Sequence, residues 1–308
     1  MKKVVLDSQQ LASLGREELL DQINNHEVSL LTSIGAKELL DEMDSVGFLS
    51  RTLVRFIALQ KDDSKLRKRA CKVIRLFAPA KLIKEYPHND GAVVVGFNHP
   101  SLGEIFRLIC LGFEAYPDKP FYFPINIPWY ETLTPVIPIL KRGGLYVTPM
   151  ITPSTEKKLK AKFEGDEAKL KSIQSYKVAF ERIYMKLAKE CADNKGVLVV
   201  APSATRQAKV FPSPEAERGE GHIHPTMTLL AHRVCPQEDN DAMFLPVTVF
   251  EPKDNDRKVN LFKMYHIEPC EPFSGKEVYQ ITKSKEKSFD FLFLKRINDV
   301  YKQKAKYE

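Results

Sequence analysis

The chain has 308 residues, 43% of them hydrophobic, with 47 lysines and arginines against 40 aspartates and glutamates. That length supports a large buried core, and the surplus of +7 fits anionic substrates, a membrane surface or an acidic carrier without indicating nucleic acid. The five cysteines are widely spaced and form no Cys-x-x-Cys pair, which points to free thiols in a reducing compartment and away from a disulfide framework or a zinc site.

Residues 8 to about 84 read as helical. Ser8 is placed to cap a first helix, 36–59 carries a second apolar stripe, and Leu66, Ala70, Val73 and Phe77 recur at helical spacing before Pro79. No strand-like alternation interrupts this block, so residues 1–88 are expected to form a small helical bundle and residues 89–308 an α/β domain. Within the second part, Val93 to Phe97 is a short β-branched run followed by a helix from Pro100 to Leu111. Phe121 to Ile127, Leu145 to Val147, Val197 to Val200, Phe244 to Phe250 and Val259 to Ile267 read as extended. Asp166 to Ala192, Thr226 to Val234 and Ser288 to Lys302 read as helices. Strands alternating with helices predict a mixed central sheet flanked by helices. The polar stretches 151–168 and 206–222 read as the mobile loops, and Pro246 inside an apolar run suggests a sheet edge or bulge. The N-terminus turns polar too early for a signal peptide, and no apolar run is long enough to span a bilayer. The expectation is a cytoplasmic protein that touches membranes, if at all, from outside.

Chemistry-bearing residues cluster directly after buried strands. Asn98-His99-Pro100-Ser101-Leu102-Gly103-Glu104 follows the run ending at Phe97. A histidine and a carboxylate five positions apart on one regular helix would point about 140° away from each other. Pro100 resolves this, because proline favours the first helical position and holds the preceding residue extended. His99 then lies just outside the helix, and Glu104 in the first turns reaches back as the group that orients a general base. The second loop, Ala201-Pro202-Ser203-Ala204-Thr205-Arg206, follows Val197 to Val200 and brings hydroxyls and a guanidinium to a strand end, where α/β sheets present ligands. Lys141-Arg142-Gly143-Gly144 offers a basic pair on a close-approach turn, either for an anion or as solvated charge. Lys65, Arg67, Lys68, Arg69, Lys72 and Arg75 surround an apolar stripe, either as a core-packed helix with a solvated face or as a patch for anionic lipid or an acidic carrier protein. His222, His224 and His232 read as loop histidines rather than metal ligands, and no Walker loop, dinucleotide fingerprint or Gly-x-Ser-x-Gly elbow occurs.

These residues together resemble the glycerolipid acyltransferase superfamily over roughly residues 90 to 250. Its Asn-His-x-x-x-x-Asp motif is matched by Asn98, His99 and Glu104, its Pro-Glu-Gly-Thr-Arg motif by Pro202 to Arg206, and its fourth motif by Pro246 and Val247. The wording Ala201-Pro202-Ser203 with Arg206 is similar to the soluble, plastid-type glycerol-3-phosphate acyltransferases, which also carry a helical N-terminal domain. Three positions depart from the pattern: Glu104 stands for an aspartate, Val147-Thr148-Pro149 lacks the basic residue of the second motif, and Ala208, followed by Lys209, occupies the place of a second arginine. The resemblance implies an O-acyltransferase that carries a fatty acyl group from acyl-CoA or acyl-carrier protein to a hydroxyl, with glycerol 3-phosphate the favoured acceptor. His99 would be the base and Glu104 its orienter. Asn98, Ser101, Lys141, Arg142, Ser203, Thr205, Arg206 and Lys209 would bind substrate. It implies no cofactor beyond the donor, and peripheral contact with an anionic membrane. A lysophospholipid, polyol or glycolipid acceptor, and a non-catalytic lipid- or carrier-binding protein on the same fold, stay open at this point.

Overall fold

The computed structural model describes residue 36 and residues 65–99, 104–133, 137–202, 211, 213–251, 263–284 and 288–303. The helices expected between residues 8 and 59 lie outside the described residues. The fold is mixed α/β, an eight-stranded sheet flanked by helices. The chain divides into two compact units, one of Met1–Lys61 with Phe123–Leu187 and one of Asp62–Tyr122 with Ala188–Glu308.

In the second unit, helix α1 (Leu66–Phe77) leads into strand β1 (Ala80–Leu82), then β2 (Val93–Phe97), helix α2 (Glu104–Ala115) and the start of β3 (Phe121–Asn126). The strand order is β1-β7-β6-β2-β5-β3, where β5 is Val197–Val200, β6 Met243–Phe250 and β7 Tyr265–Pro269; the short β8 (Phe273–Ser274) pairs with β6. β2 is central and parallel to both β5 and β6, with Val95 opposite Val199 on one side and Leu245 on the other. All five residues of β2, all four of β5 and all eight of β6 are buried, as their unbroken apolar wording requires of strands covered on both faces. β7 and β8 run antiparallel to β6.

Pro246 is not at an edge. β6 is a central strand, and its proline is accommodated because the antiparallel side changes partner there: β8 pairs Met243 and Phe244, while β7 pairs from Val247 onward. The Pro246 carbonyl still accepts from the Cys270 N–H at 2.8 Å, so the missing donor falls at the gap between two partners. Opposite Pro246 sits Gly96, where a Cβ would come within 2.4 Å of the Phe293 ring. Phe293 belongs to helix α10 (Phe289–Tyr301), capped by the Ser288 hydroxyl. Asp290 at its start caps a second helix, α8 (Thr226–Val234), by accepting from Met227 N–H at 2.6 Å and Thr228 N–H at 3.2 Å. Helix α9 (Gly275–Ser284) and the one-turn α7 (Pro214–Glu217) complete this unit.

β1 corrects the reading of 8–84 as wholly helical. Ala80–Leu82 has no alternation of its own and becomes a strand by pairing in parallel with Tyr265–Ile267. Helix α1 packs against α2 in the same unit, so residues 65–82 assemble with the sheet. All five cysteines are free and buried.

In the first unit, the later part of β3 continues beside β4 (Leu145–Met150), with helices α3 (Ile127–Leu133), α4 (Ile137–Arg142) and α5 (Pro153–Lys162), and most of α6 (Glu167–Asp193). The stretch 151–168 is therefore not a loop. Thr152 caps α5 by accepting from the Thr155 N–H, and Pro153 fills the first helical position. Glu156 then pairs with Lys160 within α5 at 2.7 Å and joins α5 to α6 through Lys177 at 2.9 Å.

Candidate active site

β2 delivers its last residue at the C-terminal edge of the parallel strands, where α/β sheets place ligands. Asn98 comes next and is wholly buried. Its Nδ2 donates to the Val249 carbonyl at 2.9 Å, and its Oδ1 accepts from the Val249 N–H at 2.6 Å. One side-chain amide thus closes a two-bond clamp onto β6 and fixes the exit direction of the chain. Each end of the amide faces β6 backbone, so its place is beneath the site.

His99 follows, with 13% of its side chain exposed and its ring edge-on to Phe97 at 5.9 Å. Its Nδ1 meets Oε1 of Glu104, the first residue of α2, whose side chain is fully buried. The pairing engages Nδ1 and leaves Nε2 on the opposite side of the ring. Glu104 at the helix start also sits where backbone N–H groups favour a negative charge. The expected pair is therefore assembled, and its orientation is that of a general base backed by a carboxylate.

One more buried charged residue lies on the helix that carries Glu104. Arg107 is 1% exposed and lies one turn beyond Glu104 on the same helix. Its Nε donates to the Pro79 carbonyl and its Nη2 to the Lys263 carbonyl, both at 2.9 Å, and the guanidinium lies 4.0 Å from the Tyr265 ring centre. Burial pushes the guanidinium down to about 10, opposed by Tyr265 and Glu104, and it stays charged at neutral pH. The available signal was an arginine spaced three positions after a buried carboxylate on the apolar face of a helix.

The other expected residues divide between the described and undescribed parts of the chain. Lys141 and Arg142 are exposed at the end of α4, in the first unit. Ser101, Ser203, Thr205, Arg206 and Lys209 lie outside the described residues. On α1, Arg67 turns inward to the Pro117 and Lys119 carbonyls and over the Phe113 ring, while Arg75 pairs with Glu114. Lys65, Lys68, Arg69 and Lys72 remain exposed along one face that ends in Leu76, 75% exposed. The His224 Nδ1 is 2.6 Å from the Thr226 hydroxyl, and among the described residues no group of three or more His, Cys, Asp or Glu is placed to hold a metal. Among the described residues no helix is long and apolar enough to cross a membrane.

No family model matches the chain, and no curated protein matches it. Among solved structures it is similar to the crystal structure of the 1-acyl-sn-glycerophosphate (LPA) acyltransferase from Thermotoga maritima, at 15% identity and a TM-score of 0.39, over 88% of this chain and 94% of that one.

Proposed function

We propose that the protein is an O-acyltransferase that moves a fatty acyl group from an acyl thioester to a hydroxyl. The observation that carries this reading is the His99 Nδ1–Glu104 contact at the end of a buried parallel strand, with Nε2 left for substrate. In the proposed reaction Nε2 takes the proton of the acceptor hydroxyl as its oxygen attacks the thioester carbonyl. Glu104 holds the Nδ1–H tautomer and balances the imidazolium that forms. Backbone N–H groups near the strand ends stabilise the oxyanion. When the tetrahedral intermediate collapses, the C–S bond breaks and the imidazolium returns the proton to the thiolate, so an ester and a free thiol result and the enzyme is unchanged. No acyl-enzyme is required.

The acceptor proposed first is glycerol 3-phosphate, after the resemblance of the Ala201 to Arg206 wording to the soluble acyltransferases, with Arg206 as the principal phosphate ligand and Ser203, Thr205, Lys209, Lys141 and Arg142 as further donors. Ala208 at the place of a second arginine favours keeping a lysophospholipid, polyol or glycolipid as the second reading. The exposed cations of α1, ending in Leu76, fit peripheral contact with an anionic membrane that holds the lipid product.

The test is release of free thiol from acyl-CoA and from acyl-carrier protein, with acceptors with and without phosphate. His99→Ala is expected to lower kcat by about 10²- to 10⁴-fold while leaving the urea midpoint in place. Full turnover by this variant refutes the mechanism. Thiol release by the wild type with lysophospholipids or unphosphorylated polyols and not with glycerol 3-phosphate moves the reading to the second acceptor class.

A further inference from the structure

We propose that Arg107 is a positioning residue for the His99–Glu104 pair: its guanidinium balances the buried Glu104 carboxylate and so keeps that carboxylate in place as the acceptor for Nδ1–H. This deepens the acyl-transfer reading and rests on it for the role of the pair.

Glu104 has no exposed side-chain surface. A carboxylate taken out of water is held by a fixed counter-charge and hydrogen bonds. Arg107 has the required charge, burial and place, on the same helix face and one turn away.

The guanidinium is also held still. The Pro79 and Lys263 carbonyls take two of its donors, and the face of the Tyr265 ring fixes its plane. Those three partners come from the approach to β1, the approach to β7 and β7 itself. A lysine, with one point charge on a flexible stem, keeps the charge and gives up the fork, whereas methionine keeps the stem and gives up the charge.

The experiment is a double-mutant cycle read in two ways. Arg107→Met, Arg107→Lys and Glu104→Gln are made singly, and Arg107→Met and Glu104→Gln together. Thiol release with a saturating acceptor gives kcat and KM, and urea unfolding gives the folded–unfolded equilibrium. Arg107→Met in the wild-type background is expected to lower kcat about tenfold with KM within about twofold, and Arg107→Lys to stay within about threefold of wild type. With Glu104 already neutral, Arg107→Met is expected to change kcat less than about twofold, and its effect on the unfolding equilibrium to shrink by about tenfold. Equal losses from Arg107→Met in both backgrounds overturn the proposal and leave Arg107 as a bracket for two carbonyls. So does Arg107→Lys falling as far as Arg107→Met. The urea cycle needs no turnover, so coupling between Arg107 and Glu104 is read even if His99→Ala refutes acyl transfer.

Discussion

Replacing Asn98 with alanine separates a clamp from a substrate ligand. The alanine removes two buried hydrogen bonds, at 2.9 and 2.6 Å, and leaves the N–H and C=O of Val249 without them in the middle of the sheet. An orphaned buried backbone group costs about 1–3 kcal/mol, so the pair together costs about 3 kcal/mol, less than the sum of two maxima because the strand relaxes. Against a typical total of about 5–15 kcal/mol that is a large fraction, and it corresponds to about 5 °C in Tm for a chain of this size. Asn98→Asp gives a second reading of the same geometry. One carboxylate oxygen still accepts from the Val249 N–H, but the other faces the Val249 carbonyl, so this variant is expected to be weakest when ionised and to recover as it is protonated. Urea unfolding and a thermal scan at two pH values measure both. On the kinetic side, the clamp predicts a fall in kcat through misplacement of His99, with KM nearly constant. An Asn98→Ala protein that unfolds within about 1 kcal/mol of wild type, or whose loss is confined to KM, refutes the reasoning.

Two further outcomes follow from packing and charge. Gly96→Ala places a Cβ 2.4 Å from the Phe293 ring and 3.2 Å from Pro202, and is expected to destabilise by about 1–3 kcal/mol; Phe293→Leu in the same chain restores most of it, as denaturant unfolding of the pair will register. Glu156 is held below the usual carboxylate range by hydrogen bonds from Lys160 and then Lys177, so its contribution is present above the unfolded value of about 4.3 and is lost as pH falls through the lower folded value. Glu156→Gln is therefore expected to cost about 0.5–1 kcal/mol at pH 7 and nothing once both states are protonated, which unfolding curves at the two pH values compare directly.

The parts legible in the sequence are those where local wording and tertiary environment agree. Val93 to Phe97, Val197 to Val200 and Phe244 to Phe250 read as buried strands because strands covered on both faces have no polar side to alternate with. His99 and Glu104 were readable as a pair because a proline directly after the histidine predicts extended backbone before it and helix beyond it, and the two side chains do meet. What was not readable depends on distant partners. Ala80–Leu82 is a strand only because β7 lies beside it, and Pro246 is central only because β8 hands over to β7 at that residue. Asn98 matched a motif position, yet its partner is 151 residues away, so its place as a clamp on β6 could not be derived from spacing. Helix α5 was readable in principle from Thr152-Pro153, a cap and a first-turn proline, but its polar composition hid it.

The pairing of β2 has a consequence for biosynthesis. Its partners are β5 and β6, so the strand that carries the histidine is made long before either neighbour exists. At ribosomal rates of about 5–20 residues per second, the segment Val93–Phe97 waits roughly ten to thirty seconds for residues 243–250 to emerge. For roughly the first five to twenty seconds, until Val197–Val200 emerges, this unbroken apolar strand has no native edge to join, so the stretch that later positions the base is exposed to non-native pairing during synthesis.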